Sequence, residues 1–91
     1  MTDVAVKRRM ARAKDFAIKK FEDMGYKIIP SDNSLFCFIA IRKMEIRMVR
    51  VAMDIISPKD IESVKGFAPP GICSKEIWCR KGNRFEIQEV L

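Results

Sequence analysis

Through the first two dozen residues, apolar positions recur at spacings of three and four. Val6, Met10, Ala13, Ala17, Phe21 and Met24 form one stripe, with Lys, Arg and Asp on the opposite side. That period predicts an amphipathic helix over residues 4–24, with Asp3 as its N-cap and Gly25 as its stop. At about 1.5 Å per residue such a helix is roughly 30 Å long, enough to cover one face of a small sheet. The stripe is assigned to the core, and the basic side is left for solvent or ligand.

After Gly25 the pattern shortens to strand lengths. Residues 26–29 read as a short strand ended by Pro30, and Ser31-Asp32-Asn33-Ser34 carries turn chemistry. Residues 35–54 are nearly all apolar, β-branched or basic, without Gly or Pro, and are interrupted only at Arg42-Lys43-Met44-Glu45. This stretch predicts a central hairpin. In its first strand both parities are apolar, which predicts burial on both faces. In its second strand, Ile46, Met48, Arg50 and Ala52 share one face, and Arg47, Val49, Val51 and Met53 the other. Arg50 is then a charge on an otherwise apolar row.

Ser57-Pro58-Lys59-Asp60 is a helix start, with Ser as N-cap, Pro at the first helical position and an acid placed to complete a capping box. Gly66 and then Ala68-Pro69-Pro70-Gly71 end that helix, leaving Ile61, Val64 and Phe67 as its core contacts. Residues 75–79 and 84–90 form a second hairpin around Lys81-Gly82-Asn83, its last strand edge-like with one wetter face. Trp78 reads first as a core or sheet-face residue and second as a base-stacking platform. Helix, strand, hairpin, helix, hairpin predicts an α/β or α+β fold in which helices flank a mixed central sheet.

Composition narrows the class. Ninety-one residues, 48% hydrophobic and 33% charged, suit a single globular domain over residues 1–91; a chain of this size buries about 60–65% of its unfolded surface. No run of about 18 apolar residues is present, so the expectation is a cytoplasmic protein that does not enter a membrane. The net charge of +6 is uneven, since Lys7, Arg8, Arg9, Arg12 and Lys14 fall within eight positions. Such a block attracts polyanions, nucleic acid first, although solvated helix faces also carry runs of this kind. Cys37, Cys73 and Cys79 make an odd count with no C-x-x-C, and there is no histidine. A disulfide framework, a structural zinc site and an imidazole base are thereby disfavoured.

The order of elements resembles that of the restriction-endonuclease-like, or PD-(D/E)XK, nuclease superfamily, in particular its small archaeal Holliday-junction-resolvase-like members. The matching phrases are Met24-Gly25-Tyr26 at a helix end and the strand Lys27-Ile28-Ile29 with its serine-rich turn. They continue through residues 35–42 and 45–51, Ser57-Pro58-Lys59, and Glu76-Ile77-Trp78. The resemblance implies an Asp in the first strand of the hairpin, with an acid and a lysine one residue apart in the second. Together these hold Mg²⁺ and activate water for phosphodiester cleavage. The corresponding positions here are Cys37, Arg50 and Ala52. A soft thiol, a guanidinium and a methyl group do not supply that chemistry. The expected protein is therefore a catalytically inactive nuclease-fold domain without a cofactor.

Such a domain is expected to bind nucleic acid, DNA ahead of RNA, by phosphate contacts from Lys7, Arg8, Arg9, Arg12, Arg42, Lys43 and Arg50. Arg50 has open readings: a structural partner for a carboxylate such as Asp32 or Asp54, a phosphate grip, or a surface position one register step away. Asp32 and Asp54, with Lys27 or Lys43, are also the candidate ligands of a relocated Mg²⁺ site in a divergent nuclease. A third reading is an interaction or scaffolding protein, with a homodimer covering the open sheet edge.

Overall fold

A computed structural model describes residues 2–31, 35–69, 71 and 73–91, with side chains from Val4 onward. The chain runs α1 (Thr2–Asp23), β1 (Lys27–Pro30), β2 (Phe38–Arg42), β3 (Glu45–Met53), α2 (Pro58–Lys65), β4 (Cys73–Lys81) and β5 (Arg84–Glu89). The strands form one mixed sheet in the order β1-β2-β3-β4-β5. All neighbours are antiparallel except β3 and β4, which are parallel and joined through α2. The fold is thus α+β, with one helix on each face. Among the described residues, no helix is long and apolar enough to cross a membrane.

α1 forms because its stripe finds the sheet. Ala13, Ala17 and Phe21 are buried with Tyr26, Phe38, Ala40, Val49, Val51 and Trp78, and Met10 and Ile18 pack at the border. The small alanines let the helix approach closely, and Phe21 fills the space beyond them. Its ring meets Tyr26 at 5.1 Å, Phe38 at 5.6 Å and Trp78 at 4.4 Å between centroids. The two ends of the predicted stripe are corrected: Val6 and Met24 are 47% and 44% exposed. Residues 4–9 are exposed throughout, so the first turns of α1 bury nothing. The helix starts at Thr2, which puts Asp3 inside it and not at the cap.

The C-terminus of α1 closes with a Schellman turn. Gly25, at φ +90°, donates to Glu22 O, and Tyr26 N donates to Phe21 O. The Phe21–Tyr26 ring pair is the apolar contact that accompanies this motif. Pro30 is tolerated inside β1 because that strand is an edge, where a missing N–H costs no ladder bond.

On the other face, α2 carries the expected capping box. Asp60 N donates to Ser57 Oγ and the Asp60 carboxylate accepts from Ser57 N. Its C-terminus does not use a left-handed glycine, since Gly66 has φ −71°. The Lys75 ammonium, 8% exposed, instead reaches across from β4 and donates to Val64 O and Phe67 O. Phe36, Ala52, Val64, Ile77, Cys79 and Val90 form the core beneath α2. An eight-residue helix spans only about 12 Å, so this face is covered over β3 and β4 alone. Ile39 and Ile41 in β2 are consequently half-exposed, and Ile29 in β1 is 45% exposed. Burial of β2 on both faces is thus only half met.

Candidate functional site

Parallel strands place their carboxyl ends side by side, and in such sheets that edge is where ligands collect. Here the ends of β3 and β4 meet the basic half of α1. Arg9, Arg12, Met53, Asp54, Arg80, Gly82 and Asn83 surround a cavity of about 390 Å³. Arg9 and Arg12 come from one helical turn, Met53 and Arg80 are register partners at the end of the β3–β4 ladder, and Gly82 supplies the β4–β5 turn at φ +64°.

Arg9, Asp54 and Arg80 are each held by contacts within the protein. Arg9 Nη2 donates to Asp54 Oδ1 at 3.0 Å. Asp54 turns the chain with φ +69°, and the Lys81 ammonium donates to its carbonyl oxygen. Arg80 Nε donates to Gly82 O at 2.9 Å, and its guanidinium lies over the Phe16 ring at 4.8 Å. Three arginines against one aspartate leave two formal positive charges in surplus around the cavity. Planar guanidinium forks suit the paired oxygens of a phosphate, and that is the chemistry this arrangement offers.

The predicted residues separate into groups. Arg9 and Arg12 line the cavity; Lys7 and Arg8 are exposed on the same protruding end of α1. Arg42 and Lys43 lie at the opposite end of β3, about 25 Å away by strand length. Arg42 donates to Glu45 at 2.9 Å and to Met24 O at 2.7 Å, and stacks on Tyr26. These contacts raise the Arg42 pKa, chiefly through the Glu45 hydrogen bond, and hold Glu45 below the ordinary carboxylate value. Arg50 faces α2, donating to Asp60 Oδ1 at 3.1 Å and to Leu35 O at 2.9 Å. Asp54, one of the carboxylates expected beside Arg50, pairs with Arg9. Asp32 lies outside the described residues.

Arg50 and Ala52 lie on the α2 face of β3, and Cys37 packs on the other side. Ala52 is buried beneath α2, while Cys37 packs against the α1-side core with its Sγ accepting from Val51 N at 3.5 Å. A thiol, a guanidinium already bound to a carboxylate and a methyl group offer no hard oxygen donor, so these positions do not fit Mg²⁺. Among the described residues, no three His, Cys, Asp or Glu side chains are grouped to hold a metal.

Two features went unread in the sequence. Arg80 carried no signal beyond its charge, because its place beside Arg9 depends on the alignment of β4 with β3. The second is the pair of half-buried Arg47 and buried Glu76, whose signal is an arginine on the row of Val49 and Val51. Arg47 Nε and Nη2 donate to the two Glu76 oxygens at 2.6 and 2.7 Å, Trp78 Nε1 donates to Glu76 Oε1 at 2.8 Å, and Arg47 Nη1 reaches the Tyr26 hydroxyl. Burial works against the Arg47 charge, but the bonds to Glu76 and Tyr26 outweigh it and raise its pKa. Trp78 is 2% exposed between Phe21 and Phe85, which makes it a core residue.

Comparison of the chain with protein-family models, with curated proteins and with solved structures found no match.

Proposed function

We propose that this chain is a nucleic-acid-binding domain of nuclease-like architecture that does not carry out metal-dependent hydrolysis. The observation that carries the reading is the convergence of Arg9, Arg12 and Arg80 on one cavity at the carboxyl ends of β3 and β4. Lys7 and Arg8 extend the same positive surface along the exposed turns of α1. The architecture is supported by the order of elements: a helix, a three-stranded antiparallel meander, a second helix and a strand parallel to the third. Loss of hydrolysis is supported by the donor set at Cys37, Arg50 and Ala52. Contacts come from guanidinium groups to phosphate oxygens, so affinity depends on salt more than on base sequence.

The test is fluorescence anisotropy of a labelled duplex and a four-way DNA junction titrated across 50–300 mM salt, a range on the order of that over which phosphate contacts change affinity most. Each of Arg9→Ala, Arg12→Ala and Arg80→Ala is expected to reduce the slope of log K against log salt by about 0.9. Lys43→Ala, at the far end of the sheet, is expected to leave it unchanged. No binding at 50 mM salt, or slopes indifferent to all three arginines, overturns the proposal.

A further inference from the structure

A second cavity opens beside the first, on the α1 face of β4 and β5. Its volume is about 540 Å³, and its walls combine Met24, Phe85 and Ile87 on the apolar side with three cations, Lys20, Arg47 and Arg84, against one carboxylate, Asp23. Met24 and Ile87 are 44% and 49% exposed, so apolar surface is presented to the solvent here. The two cavities adjoin across the β4–β5 ladder, where Arg80 and Phe85 are register partners. Arg80, from the first, lies over the Phe16 ring at 4.8 Å, and Phe85, from the second, packs on the same ring at 5.5 Å. The Lys20 ammonium, one helical turn on from Phe16, lies over the same ring at 5.0 Å.

We infer that this slot takes one unpaired nucleobase from a strand whose phosphates lie on the arginines next door. This deepens the proposed function and rests on it. The charge pattern selects the occupant. A nucleotide offers a flat, weakly polar ring and an anion one linkage away, and the slot offers an apolar floor with ammonium and guanidinium groups at its rim. A phosphate alone gains nothing from Met24, Phe85 and Ile87, and a stacked duplex presents no free ring to them. Trp78 does not itself stack on the base, because it is buried among Phe21 and Phe85 and its N–H is already bound to Glu76. It holds Phe85 in place at 5.2 Å. The domain therefore prefers strands with at least one unpaired residue over continuous duplex.

The experiment compares single strands of twelve thymidines with strands of the same length and phosphate count in which every base is replaced by an abasic linker. Both are measured by anisotropy at several salt concentrations, and a twelve-uridine strand run in parallel separates DNA from RNA as the source of the base. The thymidine or uridine strand is expected to bind about tenfold more tightly than the abasic one, within the range for stacking of one base. Ile87→Ser, on an exposed edge strand, is expected to erase that preference and leave the salt slope as it was. Equal affinity for base-bearing and abasic strands, with salt-dependent binding intact, overturns the slot and leaves the proposed function standing. Absence of binding to any strand, duplex or junction overturns both.

Discussion

Removing Arg47 leaves the Glu76 carboxylate, 6% exposed, without its partner; removing Glu76 leaves an Arg47 side chain that is 24% exposed. The two losses are unequal for that reason. A buried charge stripped of its partner costs about 3–5 kcal/mol, and Arg47→Met is expected to reach that range because the Glu76 carboxylate keeps only the neutral donors Trp78 and Ser74. In Glu76→Gln the amide oxygen still accepts from Trp78, and the guanidinium can turn its free edge outward, so about 2–3 kcal/mol is expected. A chain of 91 residues typically has about 5–14 kcal/mol of total stability, so either change is a large share. The Arg47→Met/Glu76→Gln pair removes both charges and is expected to be less destabilised than the sum of the singles by about 1–3 kcal/mol. Urea unfolding read by Trp78, the sole tryptophan, and by circular dichroism gives all three values. Additive single changes, or a larger loss from Glu76→Gln than from Arg47→Met, would refute the reasoning.

Other outcomes follow from the same contacts. Burial pushes the Asp60 carboxyl up, but the bonds from Ser57 and Arg50 outweigh it and hold its pKa below the ordinary value. Its contribution to stability is therefore full above the unfolded value of about 3.9 and is lost as pH falls below that through the folded pKa. Acid titration of Asp60→Asn is expected to show a shallower decline than wild type in that window, and identical curves would count against it. Lys75→Met strands the carbonyls that end α2 and is expected to cost about 1–3 kcal/mol, with faster amide exchange confined to α2. Cys79, fully buried, has its thiol pKa raised by burial. Alkylation followed by mass spectrometry is expected to label Cys73 in the folded protein and Cys79 only after unfolding. Phe21→Ala, which empties the space between three rings, is expected to lose about 3–5 kcal/mol in the same urea assay.

The features legible in the sequence are the ones set by near neighbours. The three-four stripe of α1, the Schellman glycine, the Ser57 capping box and both hairpin turns depend on residues a few positions apart, and each appears where its local signal lies. Arg50 shows where this stops. Asp60 was assigned to the helix cap, yet a carboxylate has two oxygens: Oδ2 serves Ser57 while Oδ1 takes Arg50. The apolar stripe of α1 runs past its core contacts, at Val6 and Met24, because periodicity says which side of a helix is apolar, not how far the sheet runs beneath it. The arginine cavity was half legible. Arg9 and Arg12 stand out as a charge block, but Arg80 joins them only through a parallel ladder whose partners, such as Ile46 and Cys73, are 27 positions apart (73 − 46).

That separation has a kinetic consequence. The β2–β3 and β4–β5 hairpins close over two-residue turns and can form early, whereas the arginine cavity needs α1, β3 and the β4–β5 turn together, with Arg9 and Asp54 45 positions apart. Contacts of such long sequence separation are the slow ones in a small domain, because loop closure must precede them. The core beneath α1 is under the same constraint, since it joins Phe21 to Trp78, so core and cavity are completed together, after the hairpins. A newly made chain that is not yet fully folded therefore lacks the assembled cavity, and the proposed binding of a polyanion there would wait on the complete fold.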